Sequence, residues 1–366
     1  MAEQIAIGLM SGTSMDGIDV ALLSTDGDQM VTRGPSMFYS YRPEMRAAIE
    51  RGLAEAIDMT SAEQRPGSLA ELEQKLTEDH AQAVLVFLEQ CKMKIRHIDV
   101  VGFHGQTVLH RPQAGLTVQL GNGQMLAEML RKPVVFDFRS ADVAAGGQGA
   151  PFVPAYHRAL ASQIGERPLA IVNLGGVGNV TYIGRDDSIL AFDTGPANAL
   201  IDDWTKRHTG RLMDRDGYLA SKGQVDMNVL MKMLGHPYFD EKPPKSLDRN
   251  DFKLDAALQL SVHDGARTLT AFTAYALARA AEHFPEAPHG WIIAGGGRHN
   301  PVLMEELKTV ITQPIITAEK AGFDGDSTEA EAFAYLAVRS RAGLPLSWPT
   351  TTGVPYAMAG GRTAEV

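Results

Sequence analysis

The chain has 366 residues, more than one hydrophobic core of ordinary size serves, so we expect two domains. A formal net charge of −10, with no run of Lys or Arg, disfavours a nucleic-acid partner and favours a small-molecule one. The single cysteine, Cys91, excludes an intramolecular disulfide and multi-cysteine metal sites. No apolar run approaches the ~18 residues of a membrane span and no basic leader is present, so we expect a cytoplasmic protein without membrane association.

A turn rich in Gly, Ser and Asp lies near the start of the chain, between apolar runs at residues 5–7 and 20–23. Such a turn exposes backbone N–H groups and hydroxyls to an anion, which predicts a phosphate-binding hairpin. It is not a P-loop, because no Gly-Lys-Ser/Thr follows, and a bound phosphate would therefore need a metal ion for charge neutralisation. The residues of this turn are Gly12, Thr13, Ser14, Met15, Asp16, Gly17, Ile18 and Asp19.

The first part of the chain further predicts strands over residues 37–41, 99–103 and 133–138, and helices over residues 43–56, 69–90 and 121–130. Ser68 and Glu71 form a predicted capping box at the start of the second helix. The polar residues His104, Gln106 and Thr107 come directly after strand 99–103. We therefore place them at its carboxyl end, where ligands gather in α/β sheets. We interpret residues 139–151 as a loop-like passage between two lobes.

Two more glycine turns follow apolar runs in the second part of the chain. Gly175 and Gly176 lie about 165 residues after the first turn, again between two predicted strands, which indicates two similar half-structures. Gly295, Gly296 and Gly297 follow the apolar run 291–293 and precede Asn300-Pro301, a predicted N-cap and first helical residue. Three strand-to-glycine junctions fit a nucleotide held between two lobes.

The remaining pattern alternates between strands and helices and therefore predicts an α/β fold with mixed sheets flanked by helices. Asp264 is a predicted cap of the long helix over residues 266–283, and residues 238–253 are a predicted surface loop or flap. The strands are predicted over residues 169–183 as a hairpin, 189–192, 290–294 and 314–317, and the helices over residues 196–208, 223–234, 266–283, 301–310 and 328–342.

Asp193 comes directly after the short apolar strand 189–192 and before a predicted helix. A carboxylate at such a junction is positioned by rigid elements and can serve catalysis. An equally good interpretation is that Asp193 caps the helix. The spacing alone leaves both open.

Five motifs together resemble those of the anhydro-N-acetylmuramic acid kinases, in the order of that family and over nearly the whole chain. The resemblance implies two ribonuclease-H-like lobes with an active-site cleft between them, closing on ATP and Mg²⁺. We expect residues 1–135 with 342–366 in the first lobe and residues 136–341 in the second, and a homodimer as an implied assembly. The motifs are Met10-Ser11-Gly12-Thr13-Ser14-Met15-Asp16-Gly17-Ile18-Asp19, His104-Gly105-Gln106-Thr107, Gly146-Gly147-Gln148-Gly149-Ala150-Pro151, Asp193-Thr194-Gly195-Pro196 and Gly295-Gly296-Gly297.

The resemblance also implies the reaction, in which 1,6-anhydro-N-acetylmuramic acid, water and ATP give N-acetylmuramic acid 6-phosphate and ADP during cell-wall recycling. By resemblance, residues 12–19 form the ATP-phosphate loop and Asp193 is the catalytic aspartate. The family usually has glycine where this chain has Ala197, which leaves the match at Asp193 in place. Residues 295–297, with Gly175 and Gly176, are expected at the nucleotide.

The other polar motif residues are candidates for the sugar and the metal. His104, Gln106 and Thr107 are expected to hydrogen-bond the sugar or its acetamido group. Arg139, with Asp142 nearby, could pair with the lactyl carboxylate or form an ion pair between lobes. Glu329 matches a glutamate of the family. It could approach Mg²⁺ through water, or it could stabilise its helix by interacting with the positive end of the helix dipole.

The chemistry needs one base. An inverting glycosidase uses a base and an acid, but here the γ-phosphoryl group can capture the departing O6 in place of the proton donor.

Three other classes of protein stay open from the sequence. The first is a hydrolase with Ser14 as nucleophile, although the last glycine of a nucleophile elbow is missing. The second is a metallohydrolase with His104, His110 and Asp137, although these residues lack a known ligand spacing. The third is a nucleotide-switched binding protein of the actin or chaperone type.

Overall fold

A computed structural model describes residues 2–12, 14–249 and 251–366. Within these residues the chain forms mixed α/β structure. The strands are β1 (Gln4–Ser11), β2 (Gly17–Thr25), β3 (Val31–Ser40), β4 (Val100–Arg111), β5 (Leu116–Leu120), β6 (Val134–Phe136), β7 (Leu169–Leu174), β8 (Val177–Ile183), β9 (Ile189–Pro196), β10 (Gly290–Ala294), β11 (Ile315–Thr317) and β12 (Arg362–Ala364). The helices are α1 (Pro43–Glu55), α2 (Leu69–Gln90), α3 (Gly123–Leu130), α4 (Ser140–Ala144), α5 (Val153–Ile164), α6 (Asn198–Thr209), α7 (Met227–Leu234), α8 (Val262–Ala280), α9 (Pro301–Val310) and α10 (Thr328–Arg341).

The chain folds as two compact units, residues 1–163 with 327–366 and residues 164–326. These bounds differ from the predicted lobes, because residues 136–163, with α4 and most of α5, and residues 327–341, with α10, belong to the first unit. The backbone of α10 lies so close to the first sheet that a Cβ added at Gly8 would lie 1.8 Å from the carbonyl oxygen of Ala330. A Cβ at Gly102 would lie 2.0 Å from the carbonyl oxygen of Phe333. Glycine in β1 and β4 therefore permits the close packing of α10.

The sheet of the first unit has the strand order β12-β6-β4-β1-β2-β3, with β5 paired to β4. Strands β1, β2 and β3 form an antiparallel meander, β4 runs parallel to β1, and β6 runs parallel to β4. Helix α2 contributes a buried apolar face that includes Leu72, Leu76 and Phe87. The predicted capping box of α2 is wrong, since Ser68 donates its hydroxyl to Glu55 instead of capping the helix.

The sheet of the second unit repeats this topology in the order β11-β10-β7-β8-β9. Strands β7, β8 and β9 form the antiparallel meander, and β10 and β11 add to it in parallel. Apolar side chains fill the space between the sheet and α8 and α9, with Trp291 and Leu303 fully enclosed. The shared order confirms mixed sheets in two similar half-structures, as ribonuclease-H-like lobes require.

Several local predictions need correction. Residues 139–151 are not a continuous loop, because residues 140–144 form α4, and a long helix, α5, follows that was not predicted. The cap of α8 is Ser261, whose hydroxyl oxygen accepts the N–H of Asp264, so Asp264 lies in the first turn. Helix α7 begins only after its cap at Asp226. The predicted cap Asn300 is confirmed, since its side chain accepts the N–H groups of residues 302 and 303. No helix among the described residues is long and apolar enough to cross a membrane.

Candidate functional site

The first glycine turn joins β1 to β2 as predicted, and Met10 pairs with Asp19 across the hairpin. The N–H of Met15 donates to the carbonyl oxygen of Gly12, and the hydroxyl of Ser14 donates to Asp16 Oδ1 at 2.6 Å. A Cβ at Gly12 would have Ser14 Oγ at 3.8 Å as its nearest neighbour, so the space beside this backbone is open. Thr13 lies outside the described residues.

The last residues of the predicted phosphate turn serve the fold. Gly17 and Ile18 are buried in β2, and a Cβ at Gly17 would lie 2.4 Å from the carbonyl oxygen of Tyr39 on β3. Glycine is therefore required there by strand packing. The open part of the turn is confined to residues 12 and 14–16 among those that the structure describes.

Gln106 connects β4 to this turn. His104, Gln106 and Thr107 lie inside β4 and not beyond its end, because the strand continues to Arg111. Ser11 pairs with Gln106 beside an irregularity in the strand register. The side-chain Nε2 of Gln106 donates to the carbonyl oxygen of Gly12 at 3.2 Å, while its buried Oε1 accepts from no group in the described part of the chain. That acceptor is available to a bound donor.

His104 and Arg139 form a second polar group of the first unit. Both the Nε and a terminal nitrogen of Arg139 approach His104 Nε2, at 3.1 and 2.9 Å. Since a guanidinium only donates, Nε2 accepts and the proton lies on Nδ1, which donates to the carbonyl oxygen of Gly105. Burial and the charge of Arg139 lower the pKa of His104 well below its ordinary value, so the ring is neutral. Burial also lowers the pKa of Arg139 to about 10.

Asp142 holds the glycine-rich segment that follows α4. Its Oδ1 accepts the N–H of Gly149 at 2.7 Å and its Oδ2 accepts the hydroxyl of Thr352 at 2.6 Å. Arg139 donates to the carbonyl oxygen of the same Gly149. Asp142 is buried, and these bonds occupy one site on each of its oxygens. The segment is therefore fixed to Arg139 and to the chain near residue 352.

Glu329 is the second residue of α10, as predicted. Its side chain is exposed, yet protein surrounds it closely enough that desolvation raises the pKa of its carboxyl, while the charge of Arg139 opposes this. In the described residues no three His, Cys, Asp or Glu side chains are grouped to hold a metal ion. That observation is compatible with Mg²⁺ carried by nucleotide phosphates and water, because this ion keeps several waters and uses few protein ligands.

An open pocket of about 290 Å³ in the first unit is lined by His104 and by charged residues of both signs, including Arg65 and Asp137. Of the residues predicted to bind the sugar, only His104 lines it. The pocket therefore gives no support to a common site for those residues.

Asp193 lies inside β9 of the second unit, three residues before the strand ends, and not after it as predicted. It does not cap α6, because the cap position is Ala197. Its Oδ2 accepts the N–H of Leu247 at 2.8 Å, its own N–H donates to the carbonyl oxygen of Lys245, and Tyr238 donates its hydroxyl to the Asp193 carbonyl. Desolvation raises the pKa of Asp193 to about 6, against the opposite effect of the Leu247 N–H. A half-buried carboxylate with this pKa is a competent general base near neutral pH.

The sheet register places polar residues in a row beside Asp193. Asp193 pairs with Asn179 on β8, Asn179 pairs with Asn173 on β7, and Asn173 pairs with Ala294 at the end of β10. All three polar side chains are half-buried. Asn173 and Asn179 are not among the predicted site residues, although each lies where an apolar run meets the glycine turn.

The two later glycine clusters meet in the second unit. A Cβ at Gly295 would lie 2.2 Å from Asn173 Oδ1, and a Cβ at Gly297 would lie 2.7 Å from Leu174 Cβ. Asn198 donates its amide to the carbonyl oxygens of Leu174 and Gly175. The predicted nucleotide residues Gly175, Gly176, Gly295, Gly296 and Gly297 thus gather around the carboxyl ends of β7 and β10.

The structure gives no support to the two hydrolase alternatives. The Ser14 hydroxyl is exposed and donates to Asp16, without a histidine. His104 has both ring nitrogens engaged within the fold, and His110 Nδ1 contacts the hydroxyl of Thr117 at 3.0 Å.

Comparison with known proteins gives matches over both units. The family model described as anhydro-N-acetylmuramic acid kinase matches residues 4–363. Proteins of that name from Nitrobacter winogradskyi and Rhodospirillum rubrum are each 52% identical to this chain; the alignments cover 97% of this chain and 98% and 93% of those proteins. One from Rhodopseudomonas palustris is 50% identical, covering 98% of this chain and 99% of that protein. Among solved structures, (R)-2-hydroxyglutaryl-CoA dehydratase component A from Acidaminococcus fermentans aligns with 93% of this chain and 99% of its own, at 11% identity and a TM-score of 0.49. This similarity is too distant to add to what the two sheets show.

Proposed function

Because this chain belongs to the anhydro-N-acetylmuramic acid kinase family, we propose that it is the kinase that opens the 1,6-anhydro ring of 1,6-anhydro-N-acetylmuramic acid with water and transfers the γ-phosphoryl group of ATP to O6. The products are N-acetylmuramic acid 6-phosphate and ADP. The observation that carries the proposal within the site is the half-buried Asp193, with a pKa raised by desolvation to about 6.

Asp193 acts as the base. Its carboxylate takes a proton from water as the water oxygen attacks C1, and the bond between C1 and O6 breaks. O6 bonds to the γ-phosphorus as the bond from phosphorus to ADP breaks, so no protein acid has to protonate O6. Asp193 Oδ2 is engaged by the Leu247 N–H, which supports Oδ1 as the oxygen that receives the proton.

ATP is assigned to the glycine turns. The open backbone beside Gly12 suits phosphate oxygens, because backbone N–H groups can donate to them. Ser14, Met15, Asp16, Asp19 and the undescribed Thr13 belong to the same assignment. The glycine cluster at residues 295–297, with Gly175 and Gly176, is assigned to the adenosine end. Mg²⁺ bound with ATP would neutralise phosphate charge, and we assign Glu329 to it through water.

The sugar is assigned to the polar residues of the first unit. The unpaired Oε1 of Gln106 can accept from a hydroxyl or the acetamido N–H, and Thr107 lies next to it. His104 holds Arg139, whose guanidinium is assigned to the lactyl carboxylate, and Asp142 fixes the adjoining segment. The cytoplasmic location and a homodimer are further parts of the proposal, and light scattering in solution would check the dimer.

One coupled assay tests the function. ADP formation should require the anhydro sugar, and Asp193→Asn should lower kcat by roughly two to four orders of magnitude. In isotopically labelled water, mass spectrometry of the first-formed product should find the label at C1 and not at O6, with inverted anomeric configuration. Sugar-independent ADP formation, or N-acetylmuramic acid formed without ATP, would overturn the proposal.

A further inference from the structure

The segment of residues 245–247, here called the strap, crosses the second unit beside Asp193. Its backbone makes two hydrogen bonds with that residue, from the Asp193 N–H to the carbonyl oxygen of Lys245 at 3.0 Å and from the Leu247 N–H to Asp193 Oδ2 at 2.8 Å. The strap is about fifty residues further along the chain than Asp193. The position of the carboxylate therefore depends on what holds the strap.

The side chain of Lys245 supplies that hold. Its Nζ donates to the carbonyl oxygens of Tyr238 and Phe239, at 2.9 and 3.3 Å, and lies 3.4 Å from His283 Nε2. It also lies over the ring of Tyr238, 4.6 Å from the centroid. The hydroxyl of that tyrosine donates to the Asp193 carbonyl at 2.6 Å. The ammonium thus ties the strap to Tyr238, which itself contacts Asp193.

Resting on the proposed function of Asp193 as the base, we propose that Lys245 is a positioning residue that holds the strap against Asp193 and thereby fixes both the place of the carboxylate and its basicity. The ammonium is engaged with the carbonyls of residues 238 and 239, so Lys245 acts through the backbone of the strap. The Leu247 N–H stabilises the ionised carboxylate, in opposition to desolvation. When the strap loosens, this bond weakens and desolvation raises the pKa of Asp193 further.

The charged groups around the Lys245 ammonium do not change the expected direction, which is a rise in the pKa of Asp193 when the strap loosens. Burial lowers the pKa of Lys245, and the nearby charges are of both signs. His283, beside the ammonium, has its pKa lowered by burial and by Lys245. The other charged side chains that act on Lys245 are Glu241, Arg279, Asp240 and Glu282.

The test compares Lys245→Met with Lys242→Met, an exposed lysine three residues earlier in the same loop. Lys245→Met should lower kcat by about 10- to 100-fold, the range expected when a reacting group is displaced by about 1 Å, with KM for ATP and for the sugar within about threefold of wild type. The acidic limb of kcat should move to higher pH. Lys242→Met should leave both unchanged, and Lys245→Arg, which keeps a donor, should recover part of the loss.

A double variant separates this role from general destabilisation. If Lys245 acts only through Asp193, then adding Lys245→Met to Asp193→Asn should cost no more than about twofold beyond Asp193→Asn alone. A loss that multiplies in full, or a wild-type pH limb in Lys245→Met, would overturn the proposal. If Lys245→Met does not fold, Tyr238→Phe replaces it, because this variant removes the hydroxyl bond to the Asp193 carbonyl. Tyr238→Phe should lower kcat and leave KM unchanged. An unchanged kcat in that variant would equally contradict the proposal. Absence of sugar-dependent ADP formation in the wild type would instead refute the proposed function.

Discussion

Asp193→Asn should make the protein more stable at neutral pH while it removes activity. Desolvation raises the pKa of Asp193 from 3.8 to about 6, so the folded protein binds a proton more readily than the unfolded chain does. The stability cost of ionising Asp193 is therefore absent below about pH 4, grows between the two pKa values, and is complete above about pH 6. Its full size is about 3 kcal/mol, an upper bound for a side chain that is only half-buried.

Asparagine carries no charge at any pH and keeps an oxygen that can accept the Leu247 N–H. We therefore expect the free energy of unfolding to rise by about 1–3 kcal/mol at pH 7.5, and by only about a third of that gain at pH 4.5. Urea denaturation followed by tryptophan fluorescence measures this, since Trp204 and Trp291 are both buried in the second unit. The exposed Asp255 supplies the control, and Asp255→Asn should change little at either pH. A gain that is zero at pH 7.5, or the same at both pH values, would refute the argument.

Three further outcomes are expected. Gly12→Val should fold, because the nearest atom to a Cβ there is 3.8 Å away, but should weaken ATP binding, and calorimetry showing undiminished affinity would move the phosphate site elsewhere. Gly295→Ala should lower the free energy of unfolding by about 1–3 kcal/mol, because the position has a φ of +75° and the new Cβ would lie 2.2 Å from Asn173 Oδ1. Gly296→Ala is the control, since the nearest atom to its Cβ is 3.9 Å away, and it should stay within about 0.5 kcal/mol of wild type in the same denaturation assay. The rate should fall about tenfold for each pH unit below about 6, as Asp193 takes up a proton, and a flat kcat down to pH 5 would assign the base elsewhere.

Local patterns in the sequence were sufficient to predict the glycine turns. The structure has the hairpin of β1 and β2, the glycine cluster at residues 295–297 and the cap at Asn300 where the pattern predicts them, because each depends on neighbours in the chain. Helix α5 was missed although a start signal is present, since Pro154 is its second residue. The predicted capping box at Ser68 does not form, because tertiary contacts orient this residue towards Glu55, whose carboxylate accepts both its N–H and its hydroxyl.

The contacts that set the basicity of Asp193 could not be predicted in this way. Lys245 and Leu247 lie in a loop without hydrophobic periodicity, and each contributes to its bond with Asp193 only a backbone atom, which nearly any residue type would supply. The row formed by Asp193, Asn179 and Asn173 depends on strand register, which a sequence pattern specifies only where one face is clearly apolar. The sequence pattern makes Asp193 a candidate base, whereas its surroundings follow only from the fold.

The two hairpins show how one strand arrangement can present backbone N–H groups twice. In the first unit the N–H that follows β3, on Tyr41, donates to the carbonyl oxygen of Asp16 in the turn. In the second unit the N–H groups of Ala197 and Asn198, which follow β9, donate to the carbonyl oxygens of Gly176 and Gly175. In a planar trans peptide the N–H points opposite to the C=O, so the N–H groups in the same peptides as these carbonyls face away from Tyr41 and from α6. Because the first N–H groups of α6 are used inside the fold, a phosphate near the second turn would have to be held by the turn and not by the helix.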